Sequence, residues 1–131
     1  MALRFGDLPV AVQLFFGAHE KDAMLLAHVF APDAIVTERE RLFKGIASIA
    51  AWHRDFEARY PGHWFETLKI AQPARSRIRT RMVMRGTFPA SPLELLCAVD
   101  VREHRIASLF VSDAPVGRRR SPRSPEMDAP T

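Results

Sequence analysis

The stretch Phe30–Trp52, FAPDAIVTERERLFKGIASIAAW, decides the fold. Pro32 disfavours helix at Ala31, so a helix running through Leu25 to Phe30 is expected to stop there, with Asp33 in a turn. Ala34-Ile35-Val36-Thr37 is apolar and β-branched enough for a short strand. Glu38-Arg39-Glu40-Arg41 reads as a charged loop. Gly45 then stands as N-cap before Ile46, Ile49, His53, Phe56 and Tyr60, a spacing of three and four that predicts a helix over Ile46–Arg59. Pro61-Gly62 ends it.

Working towards the N-terminus, Leu8–His19 is predicted to be a first helix, with Asp7 as N-cap, Pro9 in the first turn, and Val12, Phe15, Phe16 and His19 on its inner face. Asp22 can cap a second helix, Ala23–Phe30, with Leu26, Ala27 and Phe30 inward. Towards the C-terminus the period changes to two. His63–Gln72 alternates, with Trp64, Glu66, Leu68 and Ile70 on one side, and Pro73–Ser76 looks like a turn. Arg77–Phe88 places Ile78, Thr80, Met82 and Met84 on one face and Arg77, Arg79, Arg81 and Arg85 on the other. Leu93–Arg102 follows; Glu103-His104 turns the chain into a last strand, Arg105–Ser112. Helices first and antiparallel strands afterwards is the α+β signature, here a curved, cone-like antiparallel sheet wrapped around three N-terminal helices. The chain shows no internal repeat. Residues 1–113 are expected to form one domain, and Ala114–Thr131, rich in Pro, Arg and Ser without apolar periodicity, a disordered tail.

The pattern F-x-P-D-A-x-V, an acid, a loop and then G-x-x-x-I-x-x-W resembles the SnoaL-like branch of the nuclear transport factor 2-like (cystatin-like) superfamily, over about Leu8–Asp113. Gly86-Thr87-Phe88-Pro89-Ala90-Ser91-Pro92 is similar to the G-x-F-P-G-S-P of one subgroup, with Ala90 in place of the usual glycine. The superfamily includes ketosteroid isomerases, scytalone dehydratase and polyketide cyclases. The resemblance therefore implies a cofactor-free protein, a pocket for a small hydrophobic molecule, and a homodimer formed through the sheet.

At 131 residues and 47% hydrophobic, the chain can fill one core. No apolar run reaches the roughly 20 residues of a membrane span, and Asp7 and Pro9 interrupt any signal-peptide pattern. The single Cys97 excludes an internal disulfide and a multi-cysteine zinc site. A cytoplasmic location is expected. The net charge of +4, with pI near 10, invites a nucleic-acid reading. The tail, however, holds Arg118, Arg119, Arg120 and Arg123 against Glu126 and Asp128, and the rest of the chain carries only +2. That argues against a strongly basic surface on the domain. The arginines of Arg77–Arg85 read instead as a solvated outer face paired with acids across the strands.

Glu38 is the first candidate for chemistry. The resemblance to ketosteroid isomerases places their general base there, and a carboxylate in an apolar cavity would have a raised pKa. The bland alternative is a solvated acid paired with Arg39, Arg41 or Lys44. The isomerases' oxyanion tyrosine falls near Leu14 or Phe15, and their protonated aspartate near Cys97, so both donors are missing and ketosteroid isomerisation itself is not expected. His53, on the apolar stripe of the third helix, is the second catalytic candidate; His19 and His28 lie near helix ends. No metal-ligand spacing occurs. Phe15, Trp52, Phe56, Trp64, Met82, Met84 and Cys97 are the candidates for lining a ligand pocket, against the plainer reading that they are core. Three functions stay open: a small-molecule isomerase, dehydratase or cyclase with Glu38 as base, a non-catalytic binding module, and an interaction protein.

Overall fold

The computed structural model describes residues 3–17 and 22–114. Three α-helices, α1 (Val10–Gly17), α2 (Ala23–Val29) and α3 (Ile46–Arg59), pack on a six-stranded sheet. Its strands are β1 (Phe30–Glu38), β2 (Arg41–Lys44), β3 (Trp64–Ala74), β4 (Arg77–Arg85), β5 (Leu93–Arg102) and β6 (Arg105–Asp113). The sheet is curved and unclosed, in the order β2-β1-β6-β5-β4-β3. The α+β cone expected from the sequence is present, with one difference. β1 and β6 are parallel neighbours, whereas every other pairing is antiparallel.

Several boundaries also differ. Pro9, rather than Leu8, precedes α1, and its carbonyl accepts from Val12 and Gln13. Asp7 does not cap this helix; its carboxylate accepts from the Arg4 amide and closes a 3-10 turn at Phe5–Asp7. The expected end at His19 lies outside the described residues. Asp22 caps α2 as read, accepting from Leu25 at 2.9 Å, but Val29, not Ala27, completes its buried face. No turn separates α2 from β1: Phe30 is already extended. Pro32 is tolerated there because β2 pairs only with Ile35–Glu38, which leaves the start of β1 at an edge.

The charged loop proves to be a two-residue hairpin turn. Arg39 and Glu40 both have positive φ (55° and 66°), the geometry of a tight hairpin connection, and Arg41–Lys44 returns as β2. Turn signals favour Asn-Gly here, so two charged residues hid this strand. Glu103 and His104 (53° and 68°) make the corresponding turn between β5 and β6, as expected. Gly45 caps α3 at φ 85°, a backbone state that a side chain would strain, and its carbonyl accepts from Ile49.

The inner face of the sheet and the helices share one core. Phe30, Leu26, Ile49, Ile78, Met82 and Met84 are its largest fully buried side chains. Along β4 the alternation holds, with arginines outward. Three of these are paired across strands: Arg77 with Asp100, Arg81 with Glu94 and Arg85 with Glu66. Along β3 it does not hold. Phe65, not Trp64, faces the core, and Trp64 is 53% exposed. The register with β4 then shifts between Thr67 and Lys69, so that Ile70 also packs inward. One extra residue at a bulge reverses which side chains point where.

Candidate functional site

Two features of α3 organise the site. Trp52, Asp55 and Arg59, spaced by three and four, share a stripe that meets the end of β1. His53 and Glu57, four apart, lie on the adjacent stripe and meet the start of β3.

At the first meeting point, the inward alternation Ala34, Val36, Glu38 carries a carboxylate into the margin of the core, where its side chain is 8% exposed. Trp52 Nε1 donates to Oε1 at 2.9 Å; Arg59 donates from Nη2 to Oε1 at 2.7 Å and from Nη1 to Oε2 at 3.1 Å. Arg59 Nε in turn donates to Asp55 at 2.8 Å, and Arg39 lies 4.0 Å from Oε2. Burial pushes the Glu38 pKa up, but the hydrogen bonds from Arg59 and Trp52 and the charges of Arg59 and Arg39 outweigh it, and the net shift is downward. The bond to Glu38 pushes Arg59 up. The raised pKa expected of a pocket base is therefore absent. Glu38 faces a shallow rim depression of about 200 Å³ shared with Arg39, Arg41, Phe43, Asp55 and Arg59.

At the second meeting point lies the apolar interior. Phe15, Phe16, Trp52, Phe56, Phe65, Leu95, Cys97 and Val111 surround a cavity of about 20 Å³, into whose wall His53 and His63 are also built. This volume is about that of one water, because the rings fill the cone in edge-on contacts such as Phe16–Phe65 at 5.4 Å and Phe15–Phe30 at 5.4 Å. Both imidazoles face one carboxylate oxygen: Glu57 Oε2 lies 3.3 Å from His63 Nδ1 and 4.0 Å from His53 Nε2. His63 Nδ1 is also 2.9 Å from the Tyr60 carbonyl. A carbonyl has no proton to give, so that contact places a proton on Nδ1. The side chains of His53 and His63 are 7% and 4% exposed, that of Glu57 48%, so the carboxylate joins two buried rings to solvent.

Of the residues singled out from the sequence, Phe15, Trp52, Phe56, Cys97 and His53 converge on this cavity. Met82 and Met84 are fully buried but belong to the core rather than to its lining. Trp64 points outward, as the β3 register requires. Glu38 and His53, the two catalytic candidates, open onto different spaces and are not paired with each other. The sequence reading missed His63, Glu57, Phe16 and Phe65. The i,i+4 spacing of His53 and Glu57 was visible. His63, however, joins them only because the tight turn Tyr60–His63 brings the chain straight back against α3, with the His63 amide donating to the Tyr60 carbonyl. Among the described residues, no group of three or more His, Cys, Asp and Glu gathers in a metal-binding arrangement.

No protein-family model and no curated protein sequence matches the chain. Comparison with known structures does find relatives. A candidate polyketide cyclase from Sinorhizobium meliloti superposes with a TM-score of 0.73 and 27% identity, over 83% of this chain and 99% of that one. A candidate isomerase of the SnoaL-like family from Agrobacterium tumefaciens gives a TM-score of 0.67 at 16% identity, over 81% and 96% of the two chains. A nuclear transport factor 2-like protein from Burkholderia pseudomallei gives 0.67 at 14%, over 86% and 92%. The last two likenesses speak for the fold alone. Taken with the cone of helices and sheet, the three likenesses show that this chain has the fold of the SnoaL-like, nuclear transport factor 2-like proteins.

Proposed function

We propose that the protein binds a small apolar molecule in the interior of the cone and moves a proton on it without a cofactor, in an isomerisation, dehydration or cyclisation. The observation that carries this reading is the pair of buried imidazoles, His53 and His63, on an otherwise apolar cavity, joined to solvent through Glu57. Titratable groups in such a place are costly to a core and are common where proton transfer is done. On this reading His53 is the base facing the ligand, His63 is the second proton carrier, and Glu57 exchanges protons with water. Glu38 takes a different part from the one expected of it. With both oxygens bonded it holds Trp52 and Arg59 in place from the rim. A cavity of about 20 Å³ admits no substrate as it stands. Binding requires Phe16 and Phe65, the wall rings nearest the solvent, to swing apart.

The reading extends to the protein's surroundings. A lone buried Cys97 suits a reducing compartment such as the cytoplasm; among the described residues no helix is long and apolar enough to cross a membrane. A homodimer through the sheet would use its outer face, where Leu96, Ala98 and the half-exposed Phe110 lie. Leu95, Val99 and Leu109 of the same strands point into the core and are not available to such an interface.

The test is the base-promoted ring opening of 5-nitrobenzisoxazole, an apolar probe that needs only a base in a dry pocket. It is run on the wild type and on Phe16→Ala, which removes a wall ring. The expected result is turnover above buffer that rises in Phe16→Ala, is lost in His53→Gln and survives in Glu38→Gln. Turnover unchanged by His53→Gln, or none in either the wild type or Phe16→Ala, overturns the reading.

A further inference from the structure

A cavity of about 440 Å³ lies outside the interior. It is a cleft between α1, the end of α2, the start of β1 and the β5–β6 turn. Its two walls differ in chemistry. One is apolar, formed by Val10 and Leu14 of α1 with Ala31 and Pro32, and Val10 is left 68% exposed. The other carries His28, His104 and Arg105, for none of which an acid partner exists among the described residues. Arg102, beside them, is held by Asp33 at 2.5 Å and is already neutralised. Glu103 sits on the same wall. Both residues of the turn that presents this wall, Glu103 and His104, are held at positive φ, the geometry of the tight hairpin that carries it.

We propose that this cleft is a second ligand site, for a small molecule with an apolar body and a single carboxylate. The body lies against Val10 and Leu14 and the carboxylate is taken by the Arg105 guanidinium, whose planar fork matches it. His28 and His104 add hydrogen-bond donors to the same end. Glu103 opposes a second negative charge, so a monoanion fits better than a phosphate dianion. The volume lies within the range of small-molecule sites, which the interior cavity does not reach. This site is independent of the interior reading.

The experiment follows backbone amide and tryptophan indole signals of the full chain by NMR while 4-phenylbutyrate, 4-phenylbutylamine or inorganic phosphate is titrated in. The carboxylate is expected to move Val10, Leu14, His104 and Arg105 in a saturable way, and the amine and phosphate to leave them in place. Arg105→Glu should weaken the carboxylate about tenfold or more, and Val10→Asp should weaken it too. Both positions are exposed, so the variants' spectra should otherwise match the wild type. Equal shifts with the amine or with phosphate, affinity unmoved by Arg105→Glu, or shifts centred on the Trp52 indole would each overturn the proposal.

Discussion

The Glu38–Arg59 pair gives the sharpest prediction. Glu38→Gln keeps the shape and one acceptor oxygen, but removes the charge that receives both Arg59 nitrogens. Severing a buried ion pair costs about 3–5 kcal/mol. Two features reduce that here: Arg59 is itself 29% exposed, and it keeps Asp55 as a partner. The loss is then that of a charge-assisted hydrogen bond or two, about 2 kcal/mol, or roughly 8 °C in melting temperature for a domain of this size. The pH dependence follows from the direction of the shift. The folded pKa lies below the ordinary value of 4.5. The stabilisation is therefore complete well above pH 4.5 and is lost as pH falls through the folded pKa. The assay is thermal unfolding of wild type and variant from pH 3 to 7. The gap should have its full size by about pH 6 and narrow as pH falls below 4.5. A constant gap, or a variant more stable than the wild type at neutral pH, would show that Glu38 is either solvated or an uncompensated buried charge.

Four further outcomes follow. Burial pushes the Cys97 thiol up to about 12, against a smaller opposing effect of the neighbouring Thr80 hydroxyl. Labelling by 5,5′-dithiobis(2-nitrobenzoate) at pH 8 should thus be slowed about a thousandfold relative to the unfolded chain, and a fast burst would refute that burial. Gly86→Ala should destabilise by about 1–3 kcal/mol in urea unfolding, because an added Cβ would lie 3.0 Å from both His63 Cα and Phe88 Cε1 and 3.1 Å from the Gly62 carbonyl. Removal of residues 115–131, keeping the buried Ala114 whose amide donates to Glu94, should shift the melting temperature by less than about 2 °C, since so few apolar groups lie there; a large drop would mean that the segment docks. Phe110→Glu should convert a dimer to a monomer in light scattering, and an unchanged mass would remove the sheet-face dimer.

Local chemistry, which neighbouring residues suffice to specify, was legible in the sequence. The α3 stripe, the Asp22 and Gly45 caps, the β4 alternation and the Glu103-His104 turn all depend on residues within a few positions of each other. So did the fold class, because a change of period from helix to strand is itself local. What was not legible came from contacts between distant segments. The β3 bulge put Phe65 rather than Trp64 inside, because strand register is set by the partner strand and one extra residue reverses the faces. A carboxylate at the end of β1 looks the same in sequence whether it meets an open pocket or an arginine; its neighbour Arg59 is twenty-one residues away. The same holds for His63, which becomes part of a site only where the turn after α3 lays it against Glu57. Side-chain pattern thus decides which elements form. Charge environment and cavity volume, which depend on the sum of all neighbours in space, are decided only when those elements pack.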